Sequence, residues 1–193
     1  MYDIKSLSSP SIHLMHGFMG FGKTTLSRRL EVELPAIKLT HDDFMFARYG
    51  RDPEDFHIKY QIVDKDIRGL AEKEIQKGHN VIMDYGFWEK STRKEYYEWA
   101  KTLTPNVVFH AMQCDLDIAK KRVLNRSASN ENELLITEEI FYDRLKRFEP
   151  MSLDEGLPVI FYKTDCSAKQ KDFEEDENKL SDVFSCTEQF YIS

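Results

Sequence analysis

The sequence predicts an α/β protein: a five-stranded parallel sheet with helices packed on both of its faces. Three observations predict this class. Five short segments are almost wholly apolar, which is typical of strands buried on both sides. Segments with helical periodicity alternate with these strands along the chain. Finally, 193 residues, of which 41% are hydrophobic and 32% charged, suit one globular domain with a sizeable core.

The amino-terminal half is expected to begin with a strand, a helix and a second strand. The first strand, 12–16, lies between a Ser-Pro-Ser segment and Gly17. The following helix, 22–34, has leucines at every fourth position and stops before a proline. After a second strand at 36–40, apolar residues recur with helical spacing over 60–77, and a glycine follows as the cap.

The carboxyl-terminal half continues the same alternation. Strands are expected at 80–84, 107–112 and 159–162, and helices at 89–103, 115–126 and 137–149. The polar stretch 127–134 predicts a loop between the last two helices. We expect residues 1–163 to form one domain, with a lid at about 122–140. Residues 164–193 are expected to form an acidic terminal helix or tail.

Charge and cysteine content narrow the possible functions. The chain has 27 Lys and Arg against 34 Asp and Glu, a net charge of −7. This argues against a protein that binds nucleic acid or an anionic membrane through a broad basic surface. Three cysteines without Cys-x-x-Cys spacing favour a reducing compartment over a disulfide framework or zinc knuckle. No apolar run approaches the ~20 residues that cross a bilayer, so we expect a cytoplasmic protein.

A glycine-rich segment follows the first strand and opens the first helix. Gly17-Phe-Met-Gly-Phe-Gly-Lys-Thr24 matches the pattern G-x-x-x-x-G-K-[ST]. In such a loop, glycines allow successive backbone N–H groups to surround phosphate oxygens, and the helix adds its positive dipole end. Lys23 is expected to reach the β- and γ-phosphates of ATP. The expected nucleotide-binding residues here are Gly17, Phe18, Met19, Gly20, Phe21, Gly22, Lys23, Thr24 and Thr25.

Two adjacent carboxylates, Asp42 and Asp43, stand where the second strand should end. In a parallel sheet this end lies on the same side as the phosphate-binding loop. A carboxylate there could accept the proton of an attacking hydroxyl. Both residues could instead lie in the first turn of a following helix and cap it. With the loop in place, we favour a catalytic base, and Asp42 over Asp43.

The third strand ends in another carboxylate, Asp84. This position is typical of the acidic residue on the magnesium side of the site. We expect Thr24 and Asp84 to contribute to a Mg²⁺ site, with Asp84 holding a metal-bound water or bonding to Thr24. Asp84 could alternatively face the acceptor, or form a turn into the next loop.

Arg122 and Arg126 lie four residues apart on one predicted helix and therefore share a face. Arginines delivered by a lid neutralise charge on a transferring phosphoryl group and exclude water. We expect both to be catalytic, with Arg122 also binding the nucleotide. Arg144 and Arg147 on the next helix could reach the same phosphates. The alternative is a solvated basic helix face paired with acidic side chains.

Four histidines lie in or beside the predicted strands: His13, His16, His41 and His110. Their spacing does not match a zinc site, and we expect buried, neutral imidazoles.

With these motifs placed, the chain resembles small P-loop kinases of the adenylate-kinase-like class. More narrowly, it resembles the family of polynucleotide kinases, zeta-toxin-type and chloramphenicol-phosphotransferase-type enzymes, and AAA-domain kinases. The segments that carry the resemblance are 17–25, 40–44, 81–88 with Arg93, 122–126, and 148–151 with Asp154 and Glu155. The resemblance implies a three-layer P-loop NTPase fold with a small helical lid, ATP and Mg²⁺ as cofactors, and phosphoryl transfer to a hydroxyl. It also implies that Asp42 is the base and Arg126 the lid arginine.

The acceptor is the least determined feature. Polynucleotide kinases place an arginine shortly after the Asp pair, whereas this chain has Phe44, Met45 and Phe46, and its nearest basic residue is Arg48. That difference and the acidic charge favour a small hydroxyl-bearing acceptor over nucleic acid, in a monomer or homodimer that does not bind membranes. A polynucleotide or nucleotide kinase, an acceptor-independent ATPase and a binding module without catalysis are the alternatives. Adenine is expected near the lid helix and residues 163–166.

Overall fold

The computed structural model describes residues 9–131 and 133–164. Within these residues the strands are β1 Ser11–His16, β2 Ala36–Thr40, β3 Asn80–Asp84, β4 Asn106–Gln113 and β5 Val159–Lys163. The α-helices are α1 Lys23–Glu33, α2 His41–Tyr49, α3 Phe56–Gln76, α4 Lys90–Leu103, α5 Leu116–Ser129 and α6 Glu138–Leu145, and a short 3₁₀ helix spans Leu153–Glu155. No helix in this part of the chain has the length and apolar character needed to cross a membrane. The expected acidic tail falls on residues outside the described part, apart from Thr164.

All strand pairs in the sheet are parallel, and the order is β2-β3-β1-β4-β5. The predicted fold class is confirmed. β1 occupies the centre because the chain leaves it for the edge strand β2, returns to β3 beside it, and then crosses to β4 on its other side. This reversal of direction creates the crevice at the carboxyl ends of the strands where α/β sheets bind ligands.

Alternate residues along each strand divide the core into two layers. On one face, Ile12 and Leu14 of β1 pack in a cluster with α3 and α4. On the other face, Met15 of β1 packs in a cluster with α1, α5 and α6. Both sets of apolar side chains are almost fully removed from water. Because successive residues of a strand point to opposite core layers, both sets must be apolar, and the strands are continuous apolar runs in the sequence.

Several helix bounds differ from the expectations. α5 ends at Ser129 and not near 126, so the first three residues of the expected loop 127–134 are helical. α2 was expected only as a possible capped segment, but it is a nine-residue helix that starts directly after β2. Asp42 and Asp43 lie in its first turn, where negative charge suits the helix dipole. α3 begins at Phe56, four residues early, and α6 ends at Leu145, four residues early. These ends depend on tertiary packing that local periodicity does not encode.

A chain of buried polar groups crosses the sheet on one face. His13 and His110 are fully buried, and burial lowers the pKa of His13 to about 4 and that of His110 well below its ordinary value. The expected neutral imidazoles therefore fit both sites. The Ser11 hydroxyl donates to Asn80 and therefore accepts from His13 Nε2. His13 Nδ1 then accepts a hydrogen bond from His110 Nε2. His110 Nδ1 in turn accepts one from the Tyr162 hydroxyl. Every donor in this chain of bonds finds an acceptor.

Arg93, on α4, is fully buried and holds together the segments that border the crevice. Its Nε and Nη2 donate to the two carboxylate oxygens of Glu155, each at 2.7 Å. Its Nη1 donates to the carbonyl oxygens of Phe87, Trp88 and Glu149 at 2.7–3.0 Å. Burial alone would raise the pKa of Glu155, but the hydrogen bonds from Arg93 and Ser152 outweigh it, and the pKa is lowered. One guanidinium thus links α4, the loop after β3 and the segment before β5.

Arg93→Ala is expected to lower the free energy of unfolding by about 3–5 kcal/mol, because it leaves the Glu155 carboxylate buried without its partner. Urea denaturation followed by circular dichroism measures this loss. Lys146→Ala is the control, since Lys146 forms an ion pair whose side chains are 75% and 67% exposed; its effect should stay below ~0.5 kcal/mol. Equal stabilities for the two variants would contradict the role given to Arg93.

Candidate active site

The loop between β1 and α1 leaves backbone N–H groups free at the centre of the sheet. α1 begins at Lys23, its N-cap is Gly22, and no side chain caps it. The first helical hydrogen bond runs from Leu26 N to Gly22 O at 3.2 Å. By contrast, the Asp115 side chain caps two amides of α5. The uncapped first turn of α1 therefore provides donors and a positive dipole end for an anion.

Gly20 is required in this loop by both its conformation and its neighbours. Its φ is +78°, in the left-handed region, and a Cβ built on it would lie 2.4 Å from the carbonyl oxygen of Ala119. α5 therefore packs directly against the loop backbone. Any larger residue would push the loop and α5 apart.

The two phenylalanines of the loop face the core. Phe18 is 0% and Phe21 5% exposed. The Phe18 ring lies 5.2 Å from the Trp88 ring and 5.0 Å, edge on, from that of Phe141 on α6. Phe18 and Phe21 can therefore meet a nucleotide only through their backbone. Their side chains fix the loop to the segment after β3 and to α6.

Lys23 lies inside the curve of this loop. Its Nζ donates to the carbonyl oxygen of Phe18 at 3.0 Å. Burial lowers its pKa, the charges of Asp84 and Asp42 raise it, and Arg126 lowers it. The charges of Asp84, Asp42 and Arg126 thus all act on Lys23. A lysine held there is suited to bind the outer phosphates of a nucleotide.

The structure distinguishes the two adjacent carboxylates. Asp42 lines the cleft together with Lys23, whereas Asp43 is not among the residues that line it. The Asp42 side chain is exposed to the cleft, whose surrounding walls partly desolvate its carboxyl. That desolvation raises the pKa of its carboxyl; Lys23 and Arg126 lower it, and Asp84 raises it. A carboxyl with a raised pKa is a stronger base. Its role stays a prediction.

Asp84 is 4% exposed and accepts a hydrogen bond from Ser27 Oγ at 2.9 Å. Ser27 stands one helical turn after Thr24 on α1, so Asp84 bonds to the helix at Ser27. In the described part of the chain, the expected bond between Asp84 and Thr24 does not form, and Ser27 takes its place. Among the described residues, no three His, Cys, Asp or Glu side chains form a metal cluster. Thr24 and Asp84 are nevertheless hard oxygen donors, and Mg²⁺ usually takes few protein ligands beside water and phosphate. They fit that role.

The predicted arginine pair divides into two positions. Arg122 donates to the carbonyl oxygens of Gly20, at 3.3 Å, and Thr164, at 3.0 Å, on the outer side of the loop. Arg126 Nε forms an ion pair of 2.7 Å with Glu133. The charge of Arg126 acts on both Lys23 and Asp42. The structure thus pairs Arg126 with Glu133, whereas Arg122 braces the loop against the end of β5. Both roles stay predictions, as does the lid.

A cleft of about 660 Å³ extends from Lys23 and Asp42. Its walls come from 51–64, 85–96 and 134–147. Of the segments that follow β2 and β3, residues 85–88 all line the cleft, whereas 44–56 contributes only in part, because Phe44, Met45 and Phe46 do not line it. The segment after β3 has a strained backbone: Phe87 has φ +46°. Arg93 and His16 both donate to its carbonyl oxygen.

Sequence reasoning expected His41 only as a buried, neutral imidazole and did not find its contacts in this cleft. His41 stacks on Tyr60, with ring centres 3.6 Å apart, and its pKa is lowered to about 4, chiefly by burial. His41 Nδ1 and the Tyr85 hydroxyl are buried without a hydrogen-bond partner. Ser27 could have been noticed as a polar residue on the buried face of α1. Nothing in the sequence marks Tyr60, because the stacking forms between segments far apart in the chain.

Known structures share this fold. A candidate kinase from Chloroflexus aurantiacus is 22% identical, with a TM-score of 0.67, and the match covers 86% of this chain and 93% of that one. A chain of the Pnkp1/Rnl/Hen1 RNA repair complex is 14% identical, with a TM-score of 0.62 and coverage of 74% and 45%. A sugar kinase from Janibacter sp. HTCC2649 is 14% identical, with a TM-score of 0.56 and coverage of 80% and 85%. No curated protein matches the chain.

A family model for the AAA domain matches residues 12–151. The matched region begins in β1, includes the phosphate-binding loop, Asp42, Asp84 and both predicted arginines, and ends at Met151 beside the Arg93 contacts. The predicted resemblance is confirmed: this chain belongs to the AAA domain family and has the fold of the P-loop kinases.

Proposed function

We propose that this protein is an ATP-dependent phosphotransferase that moves the γ-phosphate of ATP to a hydroxyl group of a small molecule. One observation carries the proposal: Lys23, the first residue of the uncapped helix α1, lines the same cleft as Asp42. Phosphate donors and a base for a hydroxyl thus share one site. The family and fold support nucleotide binding and phosphoryl transfer in general.

In the proposed reaction, the amides of the loop and Lys23 hold the β- and γ-phosphates. The acceptor hydroxyl lies at Asp42, which takes its proton as the oxygen bonds to the γ-phosphorus. The bond from that phosphorus to the bridging oxygen breaks, and ADP leaves with the electron pair. Arg126 leaves Glu133 and neutralises charge on the transferring group. Arg122 keeps the loop in place.

Thr24 and Asp84 are the residues that would hold Mg²⁺, which neutralises charge on the β- and γ-phosphate oxygens when bound. Ser27 fixes the orientation of the Asp84 carboxylate. The Asp84 carboxylate is therefore held in one orientation before a ligand binds.

The charge of the cleft supports a small acceptor. Five basic and five acidic side chains line it: Lys23, Arg51, Arg68, Arg144 and Arg147 against Asp42, Asp52, Asp64, Glu89 and Glu95. A groove for a polynucleotide needs excess positive charge along its length. Transfer to RNA ends nevertheless remains the second candidate, because one structural neighbour belongs to an RNA repair complex.

An acceptor screen tests the proposal. The protein is incubated with Mg-ATP and, separately, with hydroxylated metabolites, nucleosides, nucleotides and RNA oligonucleotides, and mass spectrometry detects the gain of one phosphate. Transfer to small molecules is expected. Transfer only to oligonucleotide 5′ ends would refute the small acceptor. Rapid ATP hydrolysis without any acceptor, unchanged in Asp42→Ala, would favour an ATPase.

Lys23→Ala is expected to abolish transfer and to weaken ATP binding, because the variant lacks the cation that contacts the outer phosphates. Calorimetry with Mg-ATP and a transfer assay measure the two effects. Arg28→Ala is the control, since Arg28 lies on the exposed side of the same helix. Unchanged turnover in Lys23→Ala would refute the assignment of the phosphate-binding loop.

Asp42→Asn is expected to keep near-normal ATP affinity but to lose roughly a hundredfold or more in transfer, the usual contribution of a positioned base. Asp43→Asn is a matched control on the next residue of α2, and it should retain most of the activity. If Asp43→Asn is the damaging change, Asp43 is the base.

The pH dependence of transfer provides a separate test. Asp42 acts as a base only when its carboxyl has lost its proton, and desolvation raises the pKa of that carboxyl. We therefore expect kcat/KM to fall as pH is lowered through a pKa above the ordinary 3.8 of aspartate. Asp42→Asn should remove this acidic limb. A limb that persists in that variant would belong to another group.

Asp84→Asn is expected to raise the Mg²⁺ concentration needed for half-maximal ATP binding by about tenfold or more, since one charged metal ligand becomes neutral. Calorimetric titrations at several Mg²⁺ concentrations measure this shift. The Ser27 hydroxyl can still donate to the amide oxygen of Asn, so the fold should persist. An unchanged Mg²⁺ requirement would exclude Asp84 from the metal site.

A further inference from the structure

Most of the basic side chains that line the cleft already have partners. Lys23 belongs to the phosphate-binding loop. Arg68 pairs with Asp64 at 3.2 Å and with Glu95 at 2.6 Å. Three other basic residues line the cleft wall farther along the chain: Arg51, Arg144 and Arg147. Each contacts a different type of group.

Arg147 and Arg51 are engaged in holding the walls of the cleft together. Arg147 Nη2 pairs with Glu89 at 2.7 Å. Arg51 Nη2 donates to the carbonyl oxygen of Ser127 at 2.5 Å, and its own carbonyl oxygen accepts from Leu135 N at 3.0 Å. Arg51 thus joins the segment before α3 to the segment after α5.

Arg144, in the last turn of α6, differs from both. Among the described residues, neither Arg51 nor Arg144 has a carboxylate within ion-pair distance, but the Arg144 guanidinium also donates no hydrogen bond. Its guanidinium carbon lies 4.6 Å from the centre of the Phe56 ring. Stacking on an aromatic ring fixes the plane of a guanidinium and leaves its N–H groups free to donate at the edge. Such a fork matches the two oxygens of a carboxylate or a phosphate. Arg144 is therefore oriented, half-buried, and without a counter-ion.

Ring contacts along the cleft wall connect Arg144 to the neighbourhood of Asp42. Arg144 lies on the Phe56 ring, whose centre is 6.0 Å from that of Tyr60. Tyr60 in turn stacks on His41, the residue before Asp42. Burial raises the pKa of Tyr60, and the charges of Asp64 and Asp42 raise it further, while those of Arg147 and Arg144 lower it. The charges of Asp42 and Arg144 thus both affect the pKa of the Tyr60 hydroxyl. Both side chains line one continuous cleft.

We propose that the acceptor is an anionic molecule whose phosphate or carboxylate group is bound by Arg144 while its reacting hydroxyl lies at Asp42. This inference rests on the proposed function and names the chemical class of the acceptor. Arg144 is then a specificity-determining residue for the acceptor, and it makes no contact with ATP. A neutral analogue of the same size would leave the Arg144 charge without a partner in the cleft.

Binding of small probes tests this without turnover. The protein is saturated with Mg²⁺ and a non-hydrolysable ATP analogue, so that the phosphate-binding loop is filled. Phenyl phosphate, benzoate and the neutral benzyl alcohol are then titrated by calorimetry; their common ring suits the aromatic walls. At least one anion is expected to bind about tenfold or more tightly than benzyl alcohol, and the stronger of the two identifies the group as phosphate or carboxylate.

Arg144→Gln is expected to remove that preference and to leave the affinity for the ATP analogue unchanged, which also shows that the variant is folded. Lys146→Gln, an exposed change on the same segment, should behave as the wild type. Equal binding of anionic and neutral probes, binding of none, or an anion preference that survives in Arg144→Gln overturns the proposal. So does a loss of ATP-analogue binding in Arg144→Gln, since Arg144 would then serve the nucleotide. Failure of the wild type to bind the ATP analogue would refute the proposed function instead.

Discussion

The unfilled backbone donors at the start of α1 are the constraint around which this protein is arranged. An uncapped helix start is unfavourable unless an anion or water satisfies its N–H groups. Here the fold maintains it at the central strand, with α5 in contact with Gly20 and the Phe18 side chain anchored in the core. The loop cannot move to cap the helix, because the side chains of Phe18 and Phe21 are packed in the core. It is therefore ready for a phosphate group before one arrives.

The second constraint is the rigidity of the crevice wall opposite this loop. The segment after β3 passes through the strained backbone of Phe87 and would not hold that conformation alone. Arg93 and His16 donate to the same carbonyl oxygen, and Trp88 Nε1 donates to the carbonyl oxygen of Gly17 at 3.2 Å. Burying an arginine is costly, but bidentate pairing with Glu155 and three carbonyl acceptors offsets the loss of water. This wall thereby positions the cleft beside the loop.

Charge pairing in the cleft distinguishes structural cations from those open to a ligand. Arg68 and Arg147 are neutralised by carboxylates, and Arg51 is used in a tertiary contact. Arg144 is held by an aromatic ring, which orients it without neutralising its charge. The phenylalanine that supports it, Phe56, is the first residue of α3. The start of α3 and the end of α6 together therefore form one side of the proposed acceptor site.

The sequence by itself determined the fold class, the strand positions and the phosphate-binding loop, because these depend on local patterns: apolar runs, helical spacing, and glycines before Lys23 and Thr24. It also placed Asp42 and Asp84 at strand ends, since parallel strands end on one side of a sheet. Only the tertiary structure decided which carboxylate lines the cleft, that Asp84 bonds to Ser27, and that Arg122 and Arg126 take different positions. It alone joined Arg93 to Glu155 and Arg144 to Phe56. Those contacts connect residues more than 50 positions apart. Their geometry is set by the packing of the helices on the sheet, which no local pattern encodes.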